Sequence, residues 1–126
     1  MKALRATPSL PVADIDAARA FLRDCLGFDV SHRDDRSAYC HLDAATVRLI
    51  HASPDADMDD PARQLVLYID VDDVEAFHTA HQTALEALPH DHFRAPFDQP
   101  YGQRELHVIH GPFLFILGQP VHKETL

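Results

Sequence analysis

Leu10-Pro11-Val12-Ala13-Asp14-Ile15-Asp16-Ala17-Ala18 returns, 59 residues later, as Ile69-Asp70-Val71-Asp72-Asp73-Val74-Glu75-Ala76-Phe77. Both stretches run apolar-x-apolar-x-Asp-apolar-acidic-Ala. Alternating apolar residues read as the end of a strand, and the Asp stands where a helix N-cap is wanted. Asp14 and Asp73 are therefore expected to cap helices by accepting the unpaired amide hydrogens of the first turn. The repeat spans close to half the chain, so the unit that was duplicated is about 60 residues long.

Working outward, the first helix continues through Ala18, Phe21, Leu22 and Cys25 with one apolar face, and Gly27 supplies a left-handed stop before Phe28. The second runs from about Val74 through Phe77, His81 and Leu85 and ends before Pro89. Three short strands are expected after each helix: Phe28 to Arg33, Ala38 to Leu42 and Thr46 to His51, then Phe93 to Phe97, Glu105 to His110 and Phe113 to Leu117. Each half is thus β-α-β-β-β. The expected fold class is α+β: module one covers about 4–53, a solvated Asp- and Pro-rich linker 54–62, and module two about 63–120. A helix on one face of a four-stranded sheet leaves the other face open, so two such sheets are expected to pair around a cleft.

Composition narrows the function. At 126 residues and 46% hydrophobic content, the chain is expected to build one core. A formal charge of -9 disfavours nucleic acid as a partner, since phosphate binding needs a basic face. No stretch approaches the roughly 18 apolar residues of a membrane span, and the first residues lack a secretory pattern, so neither a membrane nor export is expected and the location is the cytoplasm. Cys25 and Cys40 form no C-x-x-C pattern and are expected to be reduced. Neither cysteine has a nucleophile motif around it, and no G-x-S-x-G elbow occurs.

Leu10-x-Val12-x-Asp14, Phe21 and Cys25-Leu-Gly-Phe28 resemble the opening of vicinal-oxygen-chelate modules. Gln99-Pro-Tyr-Gly-Gln-Arg-Glu-Leu106, His110-Gly111 and Phe113-Leu-Phe-Ile-Leu-Gly-Gln119 resemble the bleomycin resistance proteins of that superfamily. There are departures: Tyr101 stands for the usual Trp, Gln103 is an extra residue before Arg104, and His110-Gly111 is a shortened turn. Catalytic relatives hold a divalent metal with His and Glu from cleft-facing strands. The resemblance places Thr7, Arg48, Val66 and Phe115 at those positions, where Arg48 repels a cation and Phe115 has no donor, so no metal or other cofactor is expected. A shift of a residue or two would bring in His51 or His110, although strand parity turns His51 away from the face of Arg48. The His90-Asp91-His92 run is the expected place for adventitious metal.

If Arg48 and Phe115 face the cleft, parity adds Thr46 and Ile50 beside the first, Phe113 and Leu117 beside the second, Tyr68 and Asp70 beside Val66, and His41 beside Tyr39. Such a lining suits a pocket that binds an aromatic ligand. The expected ligand contacts are Tyr39, His41, Arg48, Ile50, Tyr68, Tyr101, Phe113 and Phe115. An alternative for Phe113, Phe115 and Leu117 is the filling of a sheet core. By resemblance, Tyr39 and Tyr101 are the rings that stack on a planar drug, and Asp98 is an acid near its cationic tail. The resemblance also implies a homodimer with an exchanged N-terminal strand, hinged at Pro8. The expected function is capture of an aromatic, cationic antibiotic or natural product without covalent chemistry. The alternatives are a metal-dependent lyase, isomerase or dioxygenase of the same fold, and a metabolite carrier.

Overall fold

The structure, a computed structural model, describes residues 1–121. It divides at Asp59/Asp60 into two compact units, each built as a helix on a four-stranded sheet. In the first, β1 (Ser9–Val12) leads into α1 (Ile15–Leu26), followed by β2 (Asp29–Arg33), β3 (Ser37–Leu42) and β4 (Ala45–His51). In the second, a single 3-10 turn at Pro61–Arg63 precedes β5 (Leu65–Asp70), α2 (Val74–Glu86), β6 (Phe93–Asp98), β7 (Gln103–His110) and β8 (Phe113–Pro120). The sheet orders are β1-β4-β3-β2 and β5-β8-β7-β6, with β1 parallel to β4 and β5 parallel to β8. The repeat read from the two Asp-centred stretches is thus a repeat of topology. Among the described residues no helix is long and apolar enough to cross a membrane.

Both caps form as expected. Asp14 Oδ1 accepts the Ala17 amide at 3.1 Å, and Asp73 Oδ1 accepts the Ala76 amide at 3.0 Å. Gly27 ends α1 at φ 75°, where its amide and that of Phe28 close on Arg23 O and Leu22 O. The second helix ends without a glycine, at Ala87, shortly before a 3-10 turn at His90–His92 that the hydropathy pattern does not announce.

Several strands extend past their apolar cores, because ladder hydrogen bonds continue where the side chains turn polar. β7 begins at Gln103 rather than Glu105, and β8 reaches Pro120 rather than Leu117. β6 carries a register shift between Arg94 and Phe97. Pro96 lies within it, and a proline that cannot donate to a ladder is tolerated on such an edge strand.

In the first unit, Leu10, Val12, Ala38, Cys40, Val47 and Leu49 are buried with Ile15, Ala18, Leu22 and Leu26 of α1. In the second, Leu106, Val108, Phe113, Phe115 and Leu117 are buried with Val74 and Leu85 of α2. Polar contacts confirm which face of the second sheet lies under its helix. Gln119 caps the Val74 amide, Arg104 pairs with Glu75, and the rings of Phe93 and His78 stand 5.6 Å apart.

On the opposite face of that sheet, Tyr68 leans from β5 across Gly118 of β8. A Cβ at position 118 would collide with Tyr68 Oη and fall 2.6 Å from its Cζ. Only glycine lets the ring lie there. Gly118→Ala is expected to push the half-exposed Tyr68 ring outward and to destabilise the protein by no more than about 1 kcal/mol, the low end of overpacking costs. In a Tyr68→Ala background the same change is expected to cost much less, and urea denaturation of the four proteins in the double-mutant cycle reads the difference.

Candidate functional site

The face of the first sheet turned away from α1 is set by β4 and β3. Register pairs Tyr39 with Arg48 and His41 with Thr46, and Val47 and Leu49 occupy the alternate, buried parity. Tyr39, His41, Arg48 and Ile50 therefore share one face, as their spacing predicts. Arg48 Cζ lies 5.7 Å from the centroid of the Tyr39 ring, within range of a cation–π interaction. The Arg48 Nε is buried without a hydrogen-bond partner among the described residues. Thr7 Oγ1 is hydrogen-bonded to Thr46 Oγ1 at 2.8 Å, and Pro8 O accepts the Arg48 amide at 2.9 Å just before β1 begins.

The second sheet departs from expectation at β8. Phe113 and Phe115 pair across the ladders with His110 and Val108, and with Leu65 and Leu67. Their parity places them under α2, together with Leu117, so they fill the core. Leu114, Ile116 and Gly118 take the open face beside Val66, Tyr68 and Asp70. The physical reason is that the helix of this unit also needs a large apolar surface, and the two phenylalanines supply it. Tyr68 and Phe115 are consequently on opposite faces.

The centre of the open face is a residue the sequence reading passed over. Glu105, on β7, is fully buried. Its Oε1 accepts from Gln99 Nε2 at 3.1 Å and is 2.8 Å from His107 Nε2, while Oε2 accepts the Tyr101 hydroxyl at 2.6 Å. The Tyr68 hydroxyl also reaches this carboxyl, and donates to Gln103 Oε1 at 3.2 Å. Burial pushes the Glu105 pKa up, but hydrogen bonds from His107, Tyr101, Gln99 and Tyr68 together outweigh it, and the net shift is downward. Tyr68, through desolvation first and Glu105 second, is raised to about 12, and Tyr101 is raised chiefly by its bond to Glu105.

Local sequence explains the geometry. β6 and β7 are joined by Gln99-Pro100-Tyr101-Gly102, closed by Gly102 N to Gln99 O at 3.1 Å and Gln99 N to Gln103 O at 2.7 Å. Proline at the second position suits such a turn. Tyr101 sits at its tip with 63% of its surface exposed, yet its hydroxyl is tethered to the buried acid. Asp98 is engaged elsewhere: it pairs with Arg104 Nη1 at 2.9 Å. Period-2 alternation would have placed Glu105 and His107 together on the face opposite Leu106 and Val108, which is the signal that could have found them.

The four positions at which the resemblance would put a metal do not suit one. Thr7 is committed to Thr46, Arg48 is a cation, Val66 is hydrocarbon, and Phe115 lies under the helix. No group of three His, Cys, Asp or Glu side chains among the described residues could hold a metal ion. His51 has the parity of Leu49, and His110 shares the helix side with Val108, where burial first and His92 second hold its pKa down. Cys25 and Cys40 are not joined in a disulfide, and burial pushes both thiols up.

Residues 5–105 match the family model of the glyoxalase/bleomycin resistance protein/dioxygenase superfamily. The fold is similar to that of a bleomycin resistance determinant encoded on the transposon Tn5, at 22% identity and TM-score 0.74, over 94% of this chain and 98% of that one. It is also similar to a bleomycin-binding protein complexed with bleomycin, at 23% identity and TM-score 0.74, over 93% and 98% of the two chains. A lactoylglutathione lyase from Agrobacterium tumefaciens is similar at 20% identity and TM-score 0.67, over 94% of each chain. No curated protein matches.

The downward shift of Glu105 has a stability consequence. Its folded pKa lies below its ordinary value of 4.5, so its contribution is fully present above that pH and is lost as pH falls through the lower, folded value. Glu105→Gln is expected to lower stability at neutral pH and to flatten the decline below about pH 4.5. Urea midpoints of both proteins measured across that range check this. An unchanged acid decline would show that Glu105 is not the group responsible.

Proposed function

Because the chain belongs to the glyoxalase/bleomycin resistance protein/dioxygenase superfamily, we propose that it is a non-catalytic binding protein that sequesters an aromatic, cationic antibiotic or other natural product in the cytoplasm. The observation that carries this reading is Tyr101, an exposed ring on a closed turn whose hydroxyl is held by a buried carboxylate. A ring held in one orientation is suited to stacking, because a ligand need not order it on binding. Tyr39, with His41, Arg48 and Ile50 on its face, and Tyr68 beside Glu105 are the further contacts in this proposal. The lack of suitable donors at the family metal positions, Thr7, Arg48, Val66 and Phe115, favours this reading over a metal-dependent lyase, isomerase or dioxygenase.

Calorimetric titration of the metal-analysed protein with bleomycin tests it. The expected result is sub-micromolar binding at one drug per chain, weakened at least about 2- to 10-fold by either Tyr39→Ala or Tyr101→Ala, as stacking energies imply. No binding would discard bleomycin as the ligand. Stoichiometric iron, zinc or nickel, together with turnover of a superfamily substrate, would replace the binding role with the enzymatic one.

The same proposal includes a homodimer with Pro8 at the hinge of an exchanged arm. Proline stiffens the chain where it enters β1 and removes one ladder donor, which suits a segment that leaves its own sheet. Sedimentation equilibrium is expected to return twice the chain mass, and a value equal to the single chain would rule the dimer out.

A further inference from the structure

We propose that Tyr101, polarised by the buried Glu105 carboxylate, is a face selective for organic cations, so that the ligand presents a positively charged planar ring to this position. The inference rests on the binding role proposed above and names the group that the site would recognise.

Glu105 is fully buried, and its carboxylate is ringed by Gln99, Tyr101, Tyr68 and His107, with no Lys or Arg paired to it among the described residues. The adjacent Arg104 has the opposite parity and is taken by Glu75 and Asp98. A phenol that donates to a carboxylate forms a charge-assisted bond, and the 2.6 Å separation is that of a strong one. Such a bond draws the proton toward the acid and leaves more electron density on the ring, which deepens the negative potential of its face. That potential is what attracts a cation to an aromatic surface.

Geometry makes Tyr101 the open position. Two other rings already carry guanidinium groups: Arg94 Cζ is 3.4 Å from the Phe97 centroid, and Arg48 covers Tyr39. Among the described residues Tyr101 has no such partner, and 63% of its surface is exposed. Asp70, on the same face of the sheet, acts on the neighbouring Tyr68. Glu105 acts through Tyr101 and is a positioning and polarising residue; the ring is the part that touches ligand.

The test compares N-methylquinolinium with quinoline, two planar probes of nearly the same shape, at about pH 8, where an ordinary histidine is neutral. Wild type is expected to favour the cation by about 2- to 30-fold, the range set by cation–π energies from exposed to desolvated sites. Tyr101→Phe keeps the ring and removes the hydroxyl, and is expected to bring the ratio toward one. Glu105→Gln is expected to do the same. If Glu105→Gln fails to fold, Tyr101→Phe alone decides. A second readout follows the polarisation directly: with Tyr39 and Tyr68 replaced by Phe, Tyr101 is the sole tyrosine. Its emission is expected to be quenched by the carboxylate and to recover in Glu105→Gln. Equal affinity of wild type for both probes, a preference that survives Tyr101→Phe, or emission indifferent to Glu105 would each overturn the inference while leaving aromatic binding intact. Failure of wild type to bind either probe would overturn both.

Discussion

One helix packs on one face of each four-stranded sheet, and strand side chains alternate, so every position in these sheets is assigned either to a helix or away from it. The constraint is tightest at β8, which lies between β5 and β7. Phe113, Phe115 and Leu117 go to the helix side, and each fully buried side chain of this size contributes on the order of 1.5–3 kcal/mol. Slipping β8 by one residue would turn these three outward and bring Gly118 beneath α2, where it offers nothing to pack. The open face inherits what remains: Gly118, the glycine over which Tyr68 lies, and Glu105 opposite it in the register. The composition of the site is thus a consequence of the register that builds the core.

The same constraint explains how much was readable beforehand. Helix caps are local, and Asp14 and Asp73 could be identified because the carboxylate and the amide it accepts are three residues apart. The shared face of Tyr39, His41, Arg48 and Ile50 was also legible, since alternation within β3 and β4 and the short hairpin between them leave little freedom. Parity between β5 and β8 was not. Those strands are parallel and far apart in sequence, and a continuous apolar run such as Phe113 to Leu117 has no polar alternation to show which side faces the helix. Apolar character there leaves both ligand lining and core filling open, and the structure takes the second.

Glu105 escaped for a different reason. In Gln99-Pro-Tyr-Gly-Gln-Arg-Glu the acid follows an arginine, and adjacent charges on a strand invite the reading of a solvated surface. Alternation separates them: Arg104 turns to Glu75 of α2, and Glu105 turns to Tyr101, Gln99 and His107. Nothing in spacing alone says that the turn folds back so that a tyrosine four residues earlier donates to this carboxylate. That contact depends on how the Gln99–Gln103 turn closes, which its own backbone hydrogen bonds set and strand alternation does not.

The two kinds of acid in this chain do different work. The exposed pairs, such as Arg23 with Asp24, hold their partners in solvent, where an ion pair contributes little to stability. The net charge of -9 comes instead from the excess of 20 acids over 11 Lys and Arg, and it bears on solubility and on the encounter with a cation. Glu105 is held in the interior by donors that are side chains of the candidate site, so removing any donor leaves a buried charge short of a hydrogen bond, a penalty larger than the bond's net worth. The arrangement couples the orientation of Tyr101 to the satisfaction of the acid. A ring that would otherwise swing freely at the tip of a turn is ordered before any ligand arrives, and that ordering reduces the entropy lost on binding.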